Sequence, residues 1–542
     1  MLFANSGGDL AAQDAWAEFV GRHPDSAYNL AWYGGMHPVS YSVVSPYLMH
    51  VLGVRTTMMI AGTVSCALLA LILARSGGVK NPLPPALAGA FALTCNAVSG
   101  RVTFGLGTMF ALGAVALVFS WPRDPFWRTR YRMYGRAGAA ALLAALATAG
   151  SPVAGLFLGI VAAALFLDGR RPAAYALGVA PVVVVGISAW LFPFSGTQPM
   201  SVGSVVPPFL CAAAALPLVP KEWRTVRISA ALYGLGVLLA WIVDSQIGSN
   251  ITRLALVFAG VVFVVALPWT PRRSRRWIVL CIALATVTGW QTSKTVDDVI
   301  NTTPAASWAR ELAPLVDRLQ RVDAERGRVE VVPARSHREA SALSPYVNLA
   351  RGWNRQADRE RNPIFYEENL LTPDSYHAWL KRWAVRYVVL PKDDPDTAGV
   401  DEAKLIEAGQ PYLKRVWSDA NWKLYRVSRP TPMADPPATV TRADAGELVV
   451  TVRTAGPVLI RIPYSPWLGL VDADGKGVEP PETYPSGDGF LNRHGCLTKQ
   501  SQEAVAGEPE DEWTLLHAPQ PGTYRIAAPY QLPRGTPCPD VG

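Results

Sequence analysis

"GSPVAGLFLGIVAAALFLDGRRPAAYALGVAPVVVVGISAWLF" (residues 150–192) decides the fold class. Two long apolar runs, 153–167 and 173–192, flank a short basic connection, "DGRR". Runs of this kind have no polar face to turn towards water, so they belong in lipid or inside a helical bundle. The pattern extends in both directions, at 56–74, 84–98, 102–121 and 137–150 before it and at 204–219, 228–244, 252–268 and 277–292 after it. Several runs are shorter than the roughly 20 residues of a perpendicular span. The pair at 137–167, which turns on Gly150–Pro152, is expected as two spans or as a shallow re-entrant hairpin.

Composition agrees. Half of the 542 residues are hydrophobic and 17% are charged, against about a quarter in soluble proteins. The acids gather in 293–542, which has ordinary globular texture. The expected fold is an α-helical polytopic membrane domain of about ten spans (55–292), then an α/β module (293–430) and a small β-sandwich-like module (431–542).

The net charge of +8 sits largely in alternate short loops, which is a topology signal and excludes a nucleic-acid partner as its cause. Sixteen basic residues share one side: Arg75 and Lys80; Arg123, Arg128, Arg130, Arg132 and Arg136; Arg170 and Arg171; Lys221, Arg224 and Arg227; Arg272, Arg273, Arg275 and Arg276. The intervening loops supply Arg101 and Arg253. By the positive-inside rule the sixteen are cytoplasmic, and ten spans then place both termini outside. The opening "MLFANSGGDLAAQDAWAEFV" has no signal-peptide pattern. An outside amino terminus therefore calls for tail translocation or a further helix upstream, and the second is the expectation. Residues 1–54 then form an extracytoplasmic loop with amphipathic helices, in the cell membrane's outer compartment.

Within that loop, "HPDSAYNLAWYGGMHP" (23–38) combines aromatics with His-Pro and Gly-Gly steps. It is expected to lie on the membrane with its aromatics at headgroup level and to bend over a cavity. Cys66, Cys95, Cys211 and Cys281 fall in apolar runs, while Cys496 and Cys538 lie outside, where a disulfide is expected. In the soluble half, "RVEVVP", "AVRYVVLP" and "WKLYRV" read as strands, alternating with helices at 305–321, 375–383 and 401–409. "ELVVTVRT", "PVLIRIPY" and "TYRIAAPY" read as short strands further on. No P-loop, dinucleotide fingerprint, zinc motif or nucleophile elbow occurs in the sequence.

An acidic outer loop, ten apolar runs and a carboxy-terminal α/β module resemble the GT-C superfamily of membrane glycosyltransferases. "YNLAWYGGMHPVSYSVVSPYL", "ATAGSPVAGLFLG", "IGSNITRLALVF" and "ARGWNRQADRERNPIFY" are also similar to an uncharacterised group of actinobacterial integral membrane proteins, often loosely labelled transporters. The GT-C resemblance implies transfer of a sugar from a polyprenyl-phosphate donor to an envelope glycan acceptor at the outer face. It implies a loop acid as base, for which Asp9, Asp25 and Asp14 are the candidates, in that order. Such a transfer also needs cations where phosphate charge develops, which points to Arg253 and Arg101. His37, Trp32 and Tyr33 are expected to face substrate. No cofactor is identified, and a divalent cation stays open.

Plainer readings stand beside these. Asp9 and Asp25 suit helix N-caps, Asp14 a solvated helix face and His37 a turn. Trp32 and Tyr33 suit an aromatic belt, and the two arginines suit snorkelling to headgroups. A permease and a non-catalytic envelope scaffold are the alternative functions. Apart from Asp244 near an outer end, the apolar runs are nearly free of acids, which weakens proton-coupled transport.

Overall fold

Each of the ten apolar runs is a helix in the computed structural model, which describes residues 7–119, 130–194, 196–302, 304–481, 494–503 and 509–539. The helices are Val54–Arg75, Leu83–Val98, Val102–Phe119, Arg130–Gly150, Pro152–Leu167, Arg171–Leu191, Val202–Leu218, Arg224–Ile242, Thr252–Ala266 and Arg275–Ile300. Among the described residues five helical stretches are long and apolar enough to cross a membrane: Val54–Arg75, Val102–Phe119, Arg171–Leu191, Arg224–Ile242 and Gly248–Trp269. Leu83–Val98, Pro152–Leu167 and Val202–Leu218 are shorter apolar helices. The basic loop residues Arg123 and Arg128, and the side chains of Arg130 and Arg132, lie outside the described residues.

The chain divides into two compact units, residues 1–13 with 39–302 and residues 14–38 with 303–542. In the first unit, helix ends are satisfied by neighbours. Helix Arg130–Gly150 stops before Pro152, and its last carbonyls accept the hydroxyls of Ser42 (Ala149 O 2.8 Å, Gly150 O 2.9 Å) and Ser45 (Gly150 O 2.8 Å). Close helix contact depends on small residues. A Cβ on Gly107 would stand 2.8 Å from those of Ser151 and Ala154.

The alternate loops of this unit gather at two ends. Lys80 donates to Pro268 O (3.3 Å), Trp269 to Gly78 O (3.1 Å), Arg276 to Leu218 O (3.1 Å) and Thr225 to Asp168 (2.7 Å). The basic connections among the described residues therefore share one end. At the other, Ser40 donates to Phe192 O (3.0 Å), Gln198 N to Ser245 O (2.8 Å) and Gly7 N to the Thr302 hydroxyl (3.0 Å).

In the second unit, strands β1 (Arg328–Val331), β2 (Asn348–Leu349), β3 (Val385–Pro391), β4 (Leu413–Ser418) and β5 (Trp422–Val427) form one sheet in the order β2-β1-β3-β5-β4. β1 runs parallel to β2 and β3, so helical crossovers are required, and β5 is antiparallel to β3 and β4. The crossover helix Pro373–Arg382 opens with a capping box between Thr372 and Ser375. It buries Tyr376, Trp379 and Leu380 against Val385 and Val388 of β3.

Strands β6 (Ala438–Ala443), β7 (Glu447–Val452), β8 (Gly456–Pro463), β9 (Gly469–Val471), β10 (Cys496–Gln502), β11 (Asp511–Ala518) and β12 (Gly522–Ala527) make two antiparallel sheets, β10-β11-β8 and β6-β7-β12-β9. In β7 the buried residues are Leu448, Val450 and Val452, the alternation of a half-buried strand. Cys496 and Cys538 are joined by a disulfide, with Cα atoms 4.9 Å apart.

Residues 23–38 depart from expectation. The segment is irregular and residues 27–38 are buried, all counted with the second unit, so its aromatics do not lie at headgroup level. Asn29 and Met36 pair through their backbones (2.8 and 3.0 Å) around a turn in which Tyr33, Gly34 and Gly35 have φ of 53°, 70° and 146°. Gly35 is required there, because a Cβ would fall 2.0 Å from the Tyr28 ring.

Candidate functional site

Asp9 directly precedes the helix Leu10–Arg22, and its loop is fixed by close backbone approach. Gly7 has φ +126° and Gly100 φ +73°; a Cβ on Gly7 would meet the Ser99 carbonyl carbon at 2.7 Å, and one on Gly100 would meet Leu10 at 2.7 Å. Gln13, wholly buried, clamps the same junction. Its amide donates to Gly100 O (2.9 Å) and its carbonyl accepts from Val102 N (2.9 Å).

This construction brings Asp9 to two arginines. Arg253 Nη2 donates to Asp9 Oδ2 at 3.2 Å, and Arg101 Nε lies 4.0 Å from the same oxygen. Arg101 is committed elsewhere, since its Nη2 donates to Asp298 Oδ2 at 2.9 Å. Arg253 also lies over the Phe104 ring, 5.5 Å from its centroid. Asp9 keeps 33% of its side chain exposed, Asp298 28% and each arginine 19%. The phenol of Tyr41 hydrogen-bonds Gln13 and Thr103; burial, with Asp9 beside it, raises its pKa and keeps it protonated.

The helix ends add to the charge. Arg101 stands just before the helix Val102–Phe119 and Arg253 is the second residue of Thr252–Ala266. Thr252–Ala266 continues the 3-10 turn Gly248–Ile251, so two helix N-termini, those of Leu10–Arg22 and Val102–Phe119, meet here with their partial positive charge, their first N–H groups already bonded to Gly7 O and Gln13. Two guanidiniums beside two helix ends make a positive site, and the carboxylates of Asp9 and Asp298 lie in it. Because Asp9 and Asp298 are each turned to an arginine, this donor set suits phosphate better than a divalent cation, and among the described residues no group of three metal-ligating side chains occurs.

The same unit holds an apolar cavity of about 410 Å³, walled by Leu69, Leu112, Phe157, Ala212, Tyr233 and Phe258 among others. Its walls suit a hydrocarbon chain.

The other expected residues have different employment. Asp14 accepts from Arg338 at 2.9 Å, and the Arg338 side chain is 3% exposed, so the pair neutralises a buried cation rather than lying on a solvated face. Asp25 is exposed, and the chain after it is not helical, which removes its N-cap role. Trp32 is fully buried, donates to Ala340 O (3.0 Å) and meets Trp16 edge-on at 5.0 Å. Tyr33 is fully buried, its hydroxyl donating to Gly352 O (2.9 Å) and accepting from Asn354 N (3.1 Å). Neither ring is a sugar platform or a belt anchor. His37 is 5% exposed, with Nδ1 on Ala27 O (2.8 Å) and Nε2 near the Ser465 hydroxyl (3.2 Å). Burial lowers its pKa to about 4, so it is a neutral core imidazole.

Asp298, Gln13 and Tyr41 were not singled out from sequence. The signal for Asp298 is "VDDVI", where the acid follows the last apolar run by six residues on a helix that continues to Ile300.

Residues 435–541 match the model of a family described as a domain of unknown function (DUF8823). No curated protein matches the chain. Similar solved structures include the arabinofuranosyltransferase AftD from Mycobacteria, with a TM-score of 0.45 and 16% identity over 81% of this chain and 41% of that one. The oligosaccharyltransferase of Archaeoglobus fulgidus, solved with a tethered acceptor peptide, gives 0.45 and 11% over 72% of this chain and 65% of that one. ArnT from Cupriavidus metallidurans, bound to undecaprenyl phosphate, gives 0.40 and 12% over 78% and 95%. The chain thus spans less than two thirds of the first two.

Proposed function

We propose that this protein is a membrane glycosyltransferase that moves a sugar from a polyprenyl-phosphate donor to an envelope glycan acceptor at the extracytoplasmic face. The observation that carries the reading is Asp9 held between Arg253 and Arg101 beside the N-termini of Leu10–Arg22 and Val102–Phe119. Donor phosphate takes over the guanidiniums, whose planar forks match its oxygens, and Asp9 is released to serve the acceptor. The acceptor hydroxyl oxygen then bonds to the anomeric carbon while the carbon–oxygen bond to phosphate breaks. The electron pair leaves with the phosphate, stabilised by the two arginines. The hydroxyl proton passes to Asp9. The apolar cavity takes part of the lipid chain.

The two ends of the first unit support a sidedness for this reading. The cluster lies at the end away from the basic connections, which the positive-inside rule assigns to the cytoplasm. The carboxy-terminal modules are then extracytoplasmic.

The test is a deletion strain complemented with wild-type protein, Asp9→Asn or Arg253→Lys, with envelope glycan composition as the readout. Wild type restores a glycan that the deletion loses. Asp9→Asn, at equal protein level, does not, because the amide keeps the shape and cannot take the proton. Restoration by both variants would refute the enzyme.

A further inference from the structure

A second polar cavity, of about 190 Å³, lies within the second unit. It is lined by Glu18, Phe19 and Arg22 from the helix Leu10–Arg22, by His23 and Asn29 after it, and by Asp444 from the β6–β7 turn. Its charges are already matched. Glu18 pairs with Arg22 at 2.6 Å, and Arg22 Nη1 also donates to Pro345 O (3.3 Å). Asp444 accepts from Arg442 (2.7 Å) and from the backbone N–H groups of Gly446 (3.0 Å) and Glu447 (2.9 Å). An anion finds no free cation here, and a metal ion finds no free acid pair.

Two neutral polar groups are left over. Asn29 is 3% exposed. Its Oδ1 accepts from Ala31 N (2.9 Å) and its backbone is paired with Met36; the residue lines the cavity, and its amide NH2 makes no hydrogen bond among the described residues. The His23 imidazole, tilted at 34° beside Phe19 with ring centroids 5.4 Å apart, also has no hydrogen-bond partner among the described residues. It is held in place by the tight turn, since a Cβ on Gly446 would stand 2.4 Å from its Nδ1. Burial lowers its pKa, so it offers one donor and one acceptor as the neutral ring.

An amide donor, a neutral imidazole, spare carboxylate lone pairs and walls of Phe19, Ala15 and Ala31 describe the complement of a ring with hydroxyls at its edge and C–H bonds on its faces. We propose that this cavity binds one neutral sugar ring of an envelope glycan, as a non-catalytic subsite. It shares no residue with the Asp9 cluster, so either assignment can fail alone.

The experiment uses the full-length protein in detergent micelles and saturation-transfer NMR with the methyl glycosides of arabinose, galactose, mannose and glucose, and with inorganic phosphate for comparison. At least one glycoside is expected to bind saturably in the millimolar range. Asn29→Asp keeps the oxygen that caps Ala31 N–H and removes the donor, so it weakens that binding roughly tenfold. His23→Gln, at a half-buried ring, is the second variant and weakens it in the same direction. Asp9→Asn leaves it unchanged. Absence of saturable glycoside binding, binding undiminished in both variants, or competition by phosphate would overturn the proposal.

Discussion

Two acid–arginine systems in this chain use the same residue types in opposite ways. In the second unit, Arg351 is buried among Glu330, Glu402 and Asp358. It donates to Glu330 through Nε (2.8 Å) and Nη2 (2.5 Å), and Nη2 also bonds Glu402. Tyr376 donates to Glu402 (2.8 Å), Tyr366 to Asp358 (2.6 Å) and Asn362 to Asp358 (2.8 Å). Burial works against the Arg351 charge, but the surrounding acids outweigh it and raise its pKa further. Burial holds the Glu330 carboxyl well above its usual range despite Arg351 beside it. In the first unit, Asp9 is a third exposed, its contacts are 3.2 and 4.0 Å, and Arg101 is divided between two acids. A network closed to solvent fixes a fold. A partly open one, with spare lone pairs and exchangeable partners, is available for a ligand.

The difference sets a scale of consequences. Arg351→Met leaves three buried acids without their cation and is expected to destabilise the second unit by about 5 kcal/mol, read as denaturant unfolding followed by the fluorescence of Trp379 and Trp383. Little loss would show that the network is not the lock described. Opening the Cys496–Cys538 bridge, whose partners are 42 residues apart, is expected to cost about 4 kcal/mol by loop-closure entropy. Thermal unfolding of Cys538→Ser against wild type measures it. Both thiols alkylatable in the native protein would remove the bridge from the account.

His37 gives a smaller, pH-dependent effect. Its pKa falls from 6.5 to about 4 on folding, so the unfolded chain binds the proton more readily. The stabilisation is complete above pH 6.5 and is lost as pH falls towards 4, by about 3 kcal/mol in total. Hydrogen exchange of residues 23–38 should rise across that window, and His37→Gln should flatten the slope. Asp9→Asn comes last. A partly exposed pair contributes less than about 1 kcal/mol, so the variant should unfold like wild type while losing function. A large loss of stability would move Asp9 into the class of Arg351.

The ten helices were legible because an uncharged apolar run has few other fates. Strands β3, β5, β7 and β8 were legible because their buried positions are apolar and β-branched or aromatic. Strands β4 ("LKRVWS") and β10 ("CLTKQSQ") were not, since both are sheet edges with largely uncovered side chains and carry no alternation. Residues 23–38 misled for a different reason. Aromatics among Gly and Pro suit an interfacial loop and a buried irregular segment equally, and what separates them are partners some 300 residues away, such as Ala340 for Trp32 (separation 308). At the candidate site, Asp9, Arg101 and Arg253 were visible as charged residues at ends of apolar runs. Their pairing was not, because it depends on Gly7, Gln13 and Gly100 bringing separate helix ends together. Asp298 lay beyond the point where the apolar run stops.

The most direct test of the central claim separates donor binding from transfer. Purified protein in lipid nanodiscs is labelled with a photoreactive undecaprenyl phosphate, and sugar transfer from polyprenyl-phosphate donors is followed in the same preparations. The account predicts that Arg253→Lys labels more weakly than wild type, because the phosphate loses its planar fork. Asp9→Asn should label as well as wild type or better, because its arginines are freed, yet transfer no sugar. Normal transfer by Asp9→Asn, or full labelling of Arg253→Lys, would contradict the assignment of base and phosphate site.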